Sequence, residues 1–264
     1  MGNEYIIKGG KSGAERLKVL FETLLPGTKQ LFKKAEIENA QVILDMGCGG
    51  GDITSELARI NPNAIIQGYD RDQSIIEIAN QREDKLPNTE FKILDITQNE
   101  IGYNQYDIIV SRFLLSHLTS PENALSKFYD GLKSGGKVIV EDVDFDGHFC
   151  YPDCSAFDKY VEFYTHTSTI RGMDPYIGRK LILMVKNAGF DVLEFEIVNP
   201  AFISGPGKSM GILTLKNIAQ SILDENLADE YELTSIINEL DLFTKREDSL
   251  ISLPRIVRII GVKK

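Results

Sequence analysis

Residues 42–60 read as one unit. An apolar run, Val42-Ile43-Leu44-Asp45, feeds a turn, Met46-Gly47-Cys48-Gly49-Gly50-Gly51-Asp52, and then a helical period marked by Ile53, Leu57 and Ile60. A strand emptying through a glycine turn into a helix constrains the chain strongly, because parallel strands need helical crossovers to be joined. The alternation continues through apolar runs at 64–70, 89–95, 106–112 and 137–143, each nearly uninterrupted, as strands buried on both faces should be. Between them Ile75, Ile78 and Ala79 mark a second helical face, and Leu125, Phe128, Tyr129 and Leu132 a third. The fold class expected is α/β.

The flanks differ from this core. Residues 12–35 predict two short helices broken at Pro26-Gly27, placed as an N-terminal cap. After the fifth strand Phe157, Val161 and Tyr164 predict a helix, and Asp174-Pro175 is expected to open another as N-cap and first helical residue. That helix carries Ile177, Leu181, Met184, Val185 and Ala188 on one face and should stop at Gly189. Strands are expected at 191–198 and 255–262, separated by helical segments at 209–224 and 232–246. The expected division is an N-terminal helical cap (1–40), a ligand-binding α/β core (41–208), a helical insertion (209–250) and the last strand of the core sheet (251–264).

A chain of 264 residues fits one large domain or a domain with a subdomain. Its 29 Lys and Arg stand against 39 Asp and Glu, a net charge of -10 that repels phosphate backbones, so no nucleic acid is expected as a partner. The longest apolar runs, such as Ile108-Ile109-Val110, are far shorter than the roughly 20 residues that span a bilayer, and no membrane partner is expected. The opening segment Met1-Gly2-Asn3-Glu4-Tyr5-Ile6 lacks the marks of a secretory or myristoylation signal, and three cysteines, Cys48, Cys150 and Cys154, give no disulfide framework. A cytoplasmic setting is the expectation.

Gly47, Gly49 and Gly51 allow positive φ and close backbone approach, so the turn after the first strand can lie against a ligand. A dinucleotide fingerprint would need glycine where Asp52 stands, and an acid there disfavours pyrophosphate; no Gly-Lys-Ser or Gly-Lys-Thr follows for a P-loop. Asp70 closes the second strand, where a carboxylate can accept from both hydroxyls of a ribose, and Asp95 closes the third, where it can face an exocyclic amine. With Asp45 these acids crowd one sheet edge and favour a cationic, phosphate-free nucleoside.

Asp45-Met46-Gly47-Cys48-Gly49-Gly50-Gly51, Gly68-Tyr69-Asp70 and Phe91-Lys92-Ile93-Leu94-Asp95-Ile96 resemble the successive motifs of class I S-adenosylmethionine-dependent methyltransferases. Tyr106-Asp107-Ile108-Ile109-Val110-Ser111-Arg112 and the turn Leu132-Lys133-Ser134-Gly135-Gly136 resemble the next two, with Ser134 where proline is usual. The resemblance covers residues 41–143. It implies a Rossmann-like, largely parallel seven-stranded sheet with helices on both faces and helical cap elements. It also implies S-adenosyl-L-methionine as cofactor, with Gly47 and Gly49 against its methionine part and ribose, Asp70 on the ribose, and Asp95 with Ile96 around adenine. Asp45, Arg71 and Ser111 complete the expected cofactor set, together with Arg112. The guanidinium of Arg112 suits a methionine carboxylate, or equally a salt bridge with a neighbouring helix.

For chemistry, the loop after the fifth strand offers His148 as a candidate general base with Asp142 as its orienter or substitute, against the alternative of a packed histidine. Asp146, His148, Cys150 and Cys154 imitate a metal site but lack a second ligand pair, and no metal is expected. His117 is structural or lines the methionine pocket, and Tyr160, Phe163, Tyr164 and His166 are candidates for the floor of an acceptor pocket. The function expected is methyl transfer to a small-molecule acceptor. The alternatives are an RNA or protein methyltransferase, or a non-catalytic protein that only binds the cofactor.

Overall fold

The computed structural model describes residues 10–264. The first nine residues of the expected cap, and with them the reading of the chain's start, lie outside the described residues. The elements in chain order are α1 (Gly10–Lys34), β1 (Val42–Met46), α2 (Asp52–Ile60), β2 (Ile65–Asp70), α3 (Gln73–Asn80), β3 (Thr89–Ile93), β4 (Tyr106–Arg112), α4 (Pro121–Gly131) and β5 (Leu132–Asp144). They continue as β6 (Cys150–Tyr151), α5 (Ser155–Ile170), α6 (Gly178–Asn187), β7 (Asp191–Val198), β8 (Ala201–Phe202), α7 (Met210–Asp224), α8 (Glu230–Lys245), β9 (Leu250–Ser252) and β10 (Arg255–Val262).

Seven strands form one sheet in the order β3-β2-β1-β4-β5-β10-β7. The pairs from β3 across to β5 are parallel, and β10 runs antiparallel to both its neighbours. Successive strand residues serve opposite faces. Leu44, Ile109 and Val140 pack with Leu125, Phe128, Leu181 and Val185 of α4 and α6. Ile43, Ile108 and Ile139 pack with Leu31, Phe32 and Leu57 of α1 and α2. A third cluster, built by Phe157 and Tyr160 of α5, Leu215 and Ile218 of α7 and Leu240 of α8, stands beside the sheet as a helical cap. A small second sheet, β6-β9-β8, joins that cap to the core. So α5, which falls inside the expected core segment 41–208, packs with the helices of the expected insertion.

Two expectations are corrected. The N-terminal region is one helix running through Pro26, not two broken at Pro26-Gly27. Proline removes one helical donor, but burial of Leu24 on one side of Pro26 and of Leu31 and Phe32 on the other holds both halves in line. Asp174-Pro175 forms a separate turn, in which Asp174 Oδ1 accepts from Tyr176 N at 3.0 Å. Helix α6 starts at Gly178, where a Cβ would lie 2.9 Å from Val143 O, so the close approach to β5 requires glycine there. Its C-terminal end at Gly189, with φ of +100°, is as expected.

Candidate active site

The strand order reverses between β1 and β4, and above the carboxyl edge of the sheet there lies a cavity of about 680 Å3. Its near wall is the glycine turn. Gly47 N and Cys48 N both donate to Tyr69 O, at 2.8 and 3.1 Å, which ties the turn to the end of β2. Gly51 has φ of +82°, and a Cβ there would sit 2.6 Å from the Phe91 ring, so this position requires glycine twice over. Asp52 is engaged by Arg82 Nη1 at 2.6 Å, and the same atom donates to Gly50 O at 2.9 Å, bracing the turn from outside.

Asp70 receives Gly49 N on Oδ2 and Asp72 N on Oδ1, each at 3.0 Å. Both oxygens keep lone pairs toward the cavity, as a ribose diol needs. Burial raises its pKa, partly offset by these two main-chain donors. The hydrogen bonds to Asp95, from Thr97 N at 2.9 Å and Thr97 Oγ1 at 2.7 Å, fall on Oδ1 alone, and Ile96 beside it is buried. Asp95 lies two residues beyond β3 rather than at its end. Asp45 accepts from Thr54 Oγ1 at 2.7 Å, and burial pushes its pKa up to about 6 despite that bond and the nearby Arg112. Gly47, Gly49, Arg71, Arg112 and His117 also line the cavity.

Arg112 takes its salt bridge, with a strand rather than a helix: its Nε binds Glu141 Oε2 on the adjacent strand β5. Glu141 is fully buried. It also accepts from Thr28 Oγ1 at 2.9 Å and lies 2.8 Å from Arg258 Nε. This cluster clamps α1 onto the sheet beneath the cavity. Gly27 is part of the fit, since a Cβ there would lie 2.5 Å from Arg258 Nη2. Arg112 Nη2 is buried without a partner among the described residues.

The far wall comes from α1, the ends of β4 and β5, α5, α7 and the segment before β10, with Arg16, Phe113, Phe145, His148, Tyr160 and Thr214 among its residues. His148 is there, as expected, but alone. Its ring sits among Phe145, Phe157 and Tyr160 at centroid distances of 5.5, 4.7 and 5.5 Å, neither ring nitrogen has a hydrogen-bond partner among the described residues, and burial lowers its pKa to about 3. Asp142 does not orient it. That carboxylate lies under the sheet edge, accepts from Ser116 N at 3.1 Å and from Val143 N at 2.9 Å, and has its pKa pushed up to about 6 by burial. Strand alternation is the reason: Val143, not Asp142, faces the cavity. Ser111 is buried away from the cavity wall for the same reason. Of the aromatic candidates, Tyr160 and Tyr164 reach the cavity, whereas Phe163 packs in the cap core and His166 is exposed. Arg16 and Thr214 had no motif to mark them, because they meet only when α1 and α7 pack together.

The profile of the methyltransferase domain matches residues 37–174, more than half of the chain. The chain belongs to the class I S-adenosylmethionine-dependent methyltransferases. This methyltransferase is 25% identical over 252 residues to phosphoethanolamine N-methyltransferase 1 of Triticum aestivum, covering 94% of the chain and 44% of that protein. It is 31% identical over 103 residues to the ubiquinone biosynthesis O-methyltransferase of Coxiella burnetii, covering 39% of the chain and 43% of that protein. The chain thus spans less than half the length of these curated relatives. Among solved structures it resembles coclaurine N-methyltransferase bound to N-methylheliamine and SAH, with a TM-score of 0.59, 20% identity and coverage of 90% of this chain and 71% of that one. It also resembles Haemonchus contortus phosphoethanolamine N-methyltransferase 2, with a TM-score of 0.55, 18% identity and coverage of 99% and 55%. These likenesses bear on the fold of the methyltransferase. S-adenosylmethionine is the cofactor of the family, and the glycine turn with acceptor oxygens at Asp70 and Asp95 fits it; no lysine stands among the described residues that line the cavity. Among the described residues no helix is long and apolar enough to cross a membrane.

Proposed function

We propose that the chain is an enzyme that transfers the methyl group of S-adenosylmethionine to a small-molecule acceptor held in the far half of the cavity. The observation that carries this reading is the continuity of one cavity from the glycine turn to α5 and α7, walled by α1. Its volume of about 680 Å3 falls within the range typical of small-molecule sites, roughly 300 to 1,000 Å3. The relatives named for phosphoethanolamine and for ubiquinone biosynthesis support a small acceptor over a macromolecular one.

When bound, the cofactor supplies a methyl group already activated on a sulfonium. The chain's own work is then to hold two reactants in line and keep water out. Asp70 accepts the ribose hydroxyls, Asp95 and Ile96 frame the adenine, and the Gly47 to Gly49 backbone passes close to the methionine part, with Asp45 beneath it. Arg71 and Arg112 add cationic wall on either side. The cap helices α1, α5 and α7 wall the acceptor half. His148, neutral at ordinary pH, contributes an aromatic wall there and is a weak base, which suits an acceptor that arrives nucleophilic or already deprotonated.

The test is calorimetry with S-adenosylhomocysteine. Asp70→Ala should lose about 1.5 to 3 kcal/mol of binding, on the order of tenfold to a hundredfold in affinity. Unchanged affinity, or tighter binding of NAD than of S-adenosylhomocysteine by the unaltered protein, would refute the reading.

A further inference from the structure

The cavity wall is electrically divided. Asp45, Asp52, Asp70, Asp72 and Asp95, with Arg71 among them, line it from the first three strands and the turns that follow them, the half assigned above to the cofactor. The remaining wall has no carboxylate among its described lining residues and carries two guanidiniums, Arg16 and Arg112. Arg112 is answered by Glu141. Arg16 is not: among the described residues no carboxylate lies within 4.0 Å of it, and its one hydrogen bond is from Nε to Thr214 Oγ1 at 3.0 Å.

Thr214 is oriented for that contact. Its hydroxyl donates to Met210 O at 2.8 Å, so toward Arg16 it can only accept. The Nε bond fixes the guanidinium plane on α7 and leaves the two Nη groups as a forked pair of donors, the geometry that matches a carboxylate. Around it the wall is apolar and aromatic, with Phe113, Phe145, Tyr160, Tyr164 and Pro254. Leu17, the next residue along α1, packs instead against the glycine turn, 3.2 Å from where a Gly49 Cβ would be.

We propose that Arg16, positioned by Thr214, is the specificity residue that receives a carboxylate of the methyl acceptor, and that the acceptor is therefore a monoanionic acid with an apolar or aromatic body. The inference rests on the methyltransferase reading above and adds the acceptor's chemical class. A carboxylate is favoured over a phosphate dianion because, among the described residues of this half of the cavity, Arg16 is the one guanidinium with no carboxylate beside it. The carboxylate of the cofactor's own methionine is the other source of the same chemistry, and the experiment separates the two.

The protein saturated with S-adenosylhomocysteine is titrated calorimetrically with benzoate, phenylacetate and octanoate, and with the primary amide of each. At least one acid should bind on the order of tenfold tighter than its amide, the difference expected for a charge-assisted bidentate contact. Arg16→Gln should abolish that preference while S-adenosylhomocysteine affinity stays unchanged, which also shows the variant folded. Thr214→Val, which keeps shape and removes the acceptor oxygen, should narrow the acid preference without changing amide binding. The proposal is overturned if no acid binds, if amides bind as tightly as acids, if inorganic phosphate displaces the bound acid, or if the preference survives in Arg16→Gln. A fall in S-adenosylhomocysteine affinity in Arg16→Gln would give the guanidinium to the cofactor and overturn it equally. If the unaltered protein fails to bind S-adenosylhomocysteine at all, it is the methyltransferase reading that falls.

Discussion

Replacing His148 by phenylalanine should make the protein less sensitive to acid. In the unfolded chain a histidine protonates near its reference pKa of roughly 6.5. In the fold, burial among Phe145, Phe157 and Tyr160 lowers that value to about 3. Between those two values the unfolded chain binds a proton that the native state refuses, so the stabilisation is fully present above pH 6.5 and is lost as pH falls toward 3. From pH 7 to pH 5 the loss from this one residue is about 2 kcal/mol. His117, whose pKa burial also lowers to about 3, adds a loss of the same sign. Asp45 and Asp142, raised to about 6, act oppositely, because their burial costs stability as pH rises through that range. The total profile therefore mixes signs, and the informative quantity is the difference between wild type and His148→Phe. Urea unfolding at pH 7 and pH 5 without cofactor should show that difference shifting by about 2 kcal/mol in favour of the variant. A difference that stays flat would mean that His148 titrates as an exposed histidine, and the assignment of a neutral aromatic wall would fail with it.

Two further perturbations test the frame around the site. Glu141→Gln removes the charge that Arg112 and Arg258 share in the core, and it should destabilise the fold by about 3 to 5 kcal/mol in urea unfolding; a change below the scatter of such measurements would mean that water reaches the cluster. Gly51→Ala forces a side chain into positive φ and against the Phe91 ring, so it should cost at least about 1 to 3 kcal/mol of stability and weaken S-adenosylhomocysteine binding together. Full binding in that variant would show that the turn is free to move.

The fold class and the cofactor half of the site were legible along the chain because their determinants are local. Buried parallel strands read as continuous apolar runs, and a strand, its glycine turn and the acid closing the next strand lie within 30 residues of one another. The strand and helix segments of the flanks were also marked, by helical periods and by Gly189 at a helix end. What strict alternation within a strand decides was less visible. Asp142 was read with His148 as part of the chemistry after the fifth strand, yet the pleat turns Asp142 toward Ser116 and its neighbour Glu141 into the salt-bridge cluster with Arg112, leaving Val143 to the cavity. Pro26 was read as a break because local propensity disfavours it, and tertiary burial on either side overrode that preference.

The sequence by itself determined the sheet, the glycine turn and the acidic strand ends, and through them the class of cofactor. Only the tertiary structure decided the acceptor half. Arg16 and Thr214 are separated by 198 positions and become partners because α1 and α7 pack against each other. The same packing encloses His148 in aromatic rings and removes it as a strong base, a fact about burial that no spacing of residues could carry. Local hydrogen bonding and steric needs are written in short motifs, whereas desolvation and long-range pairing depend on which surfaces the folded chain brings together.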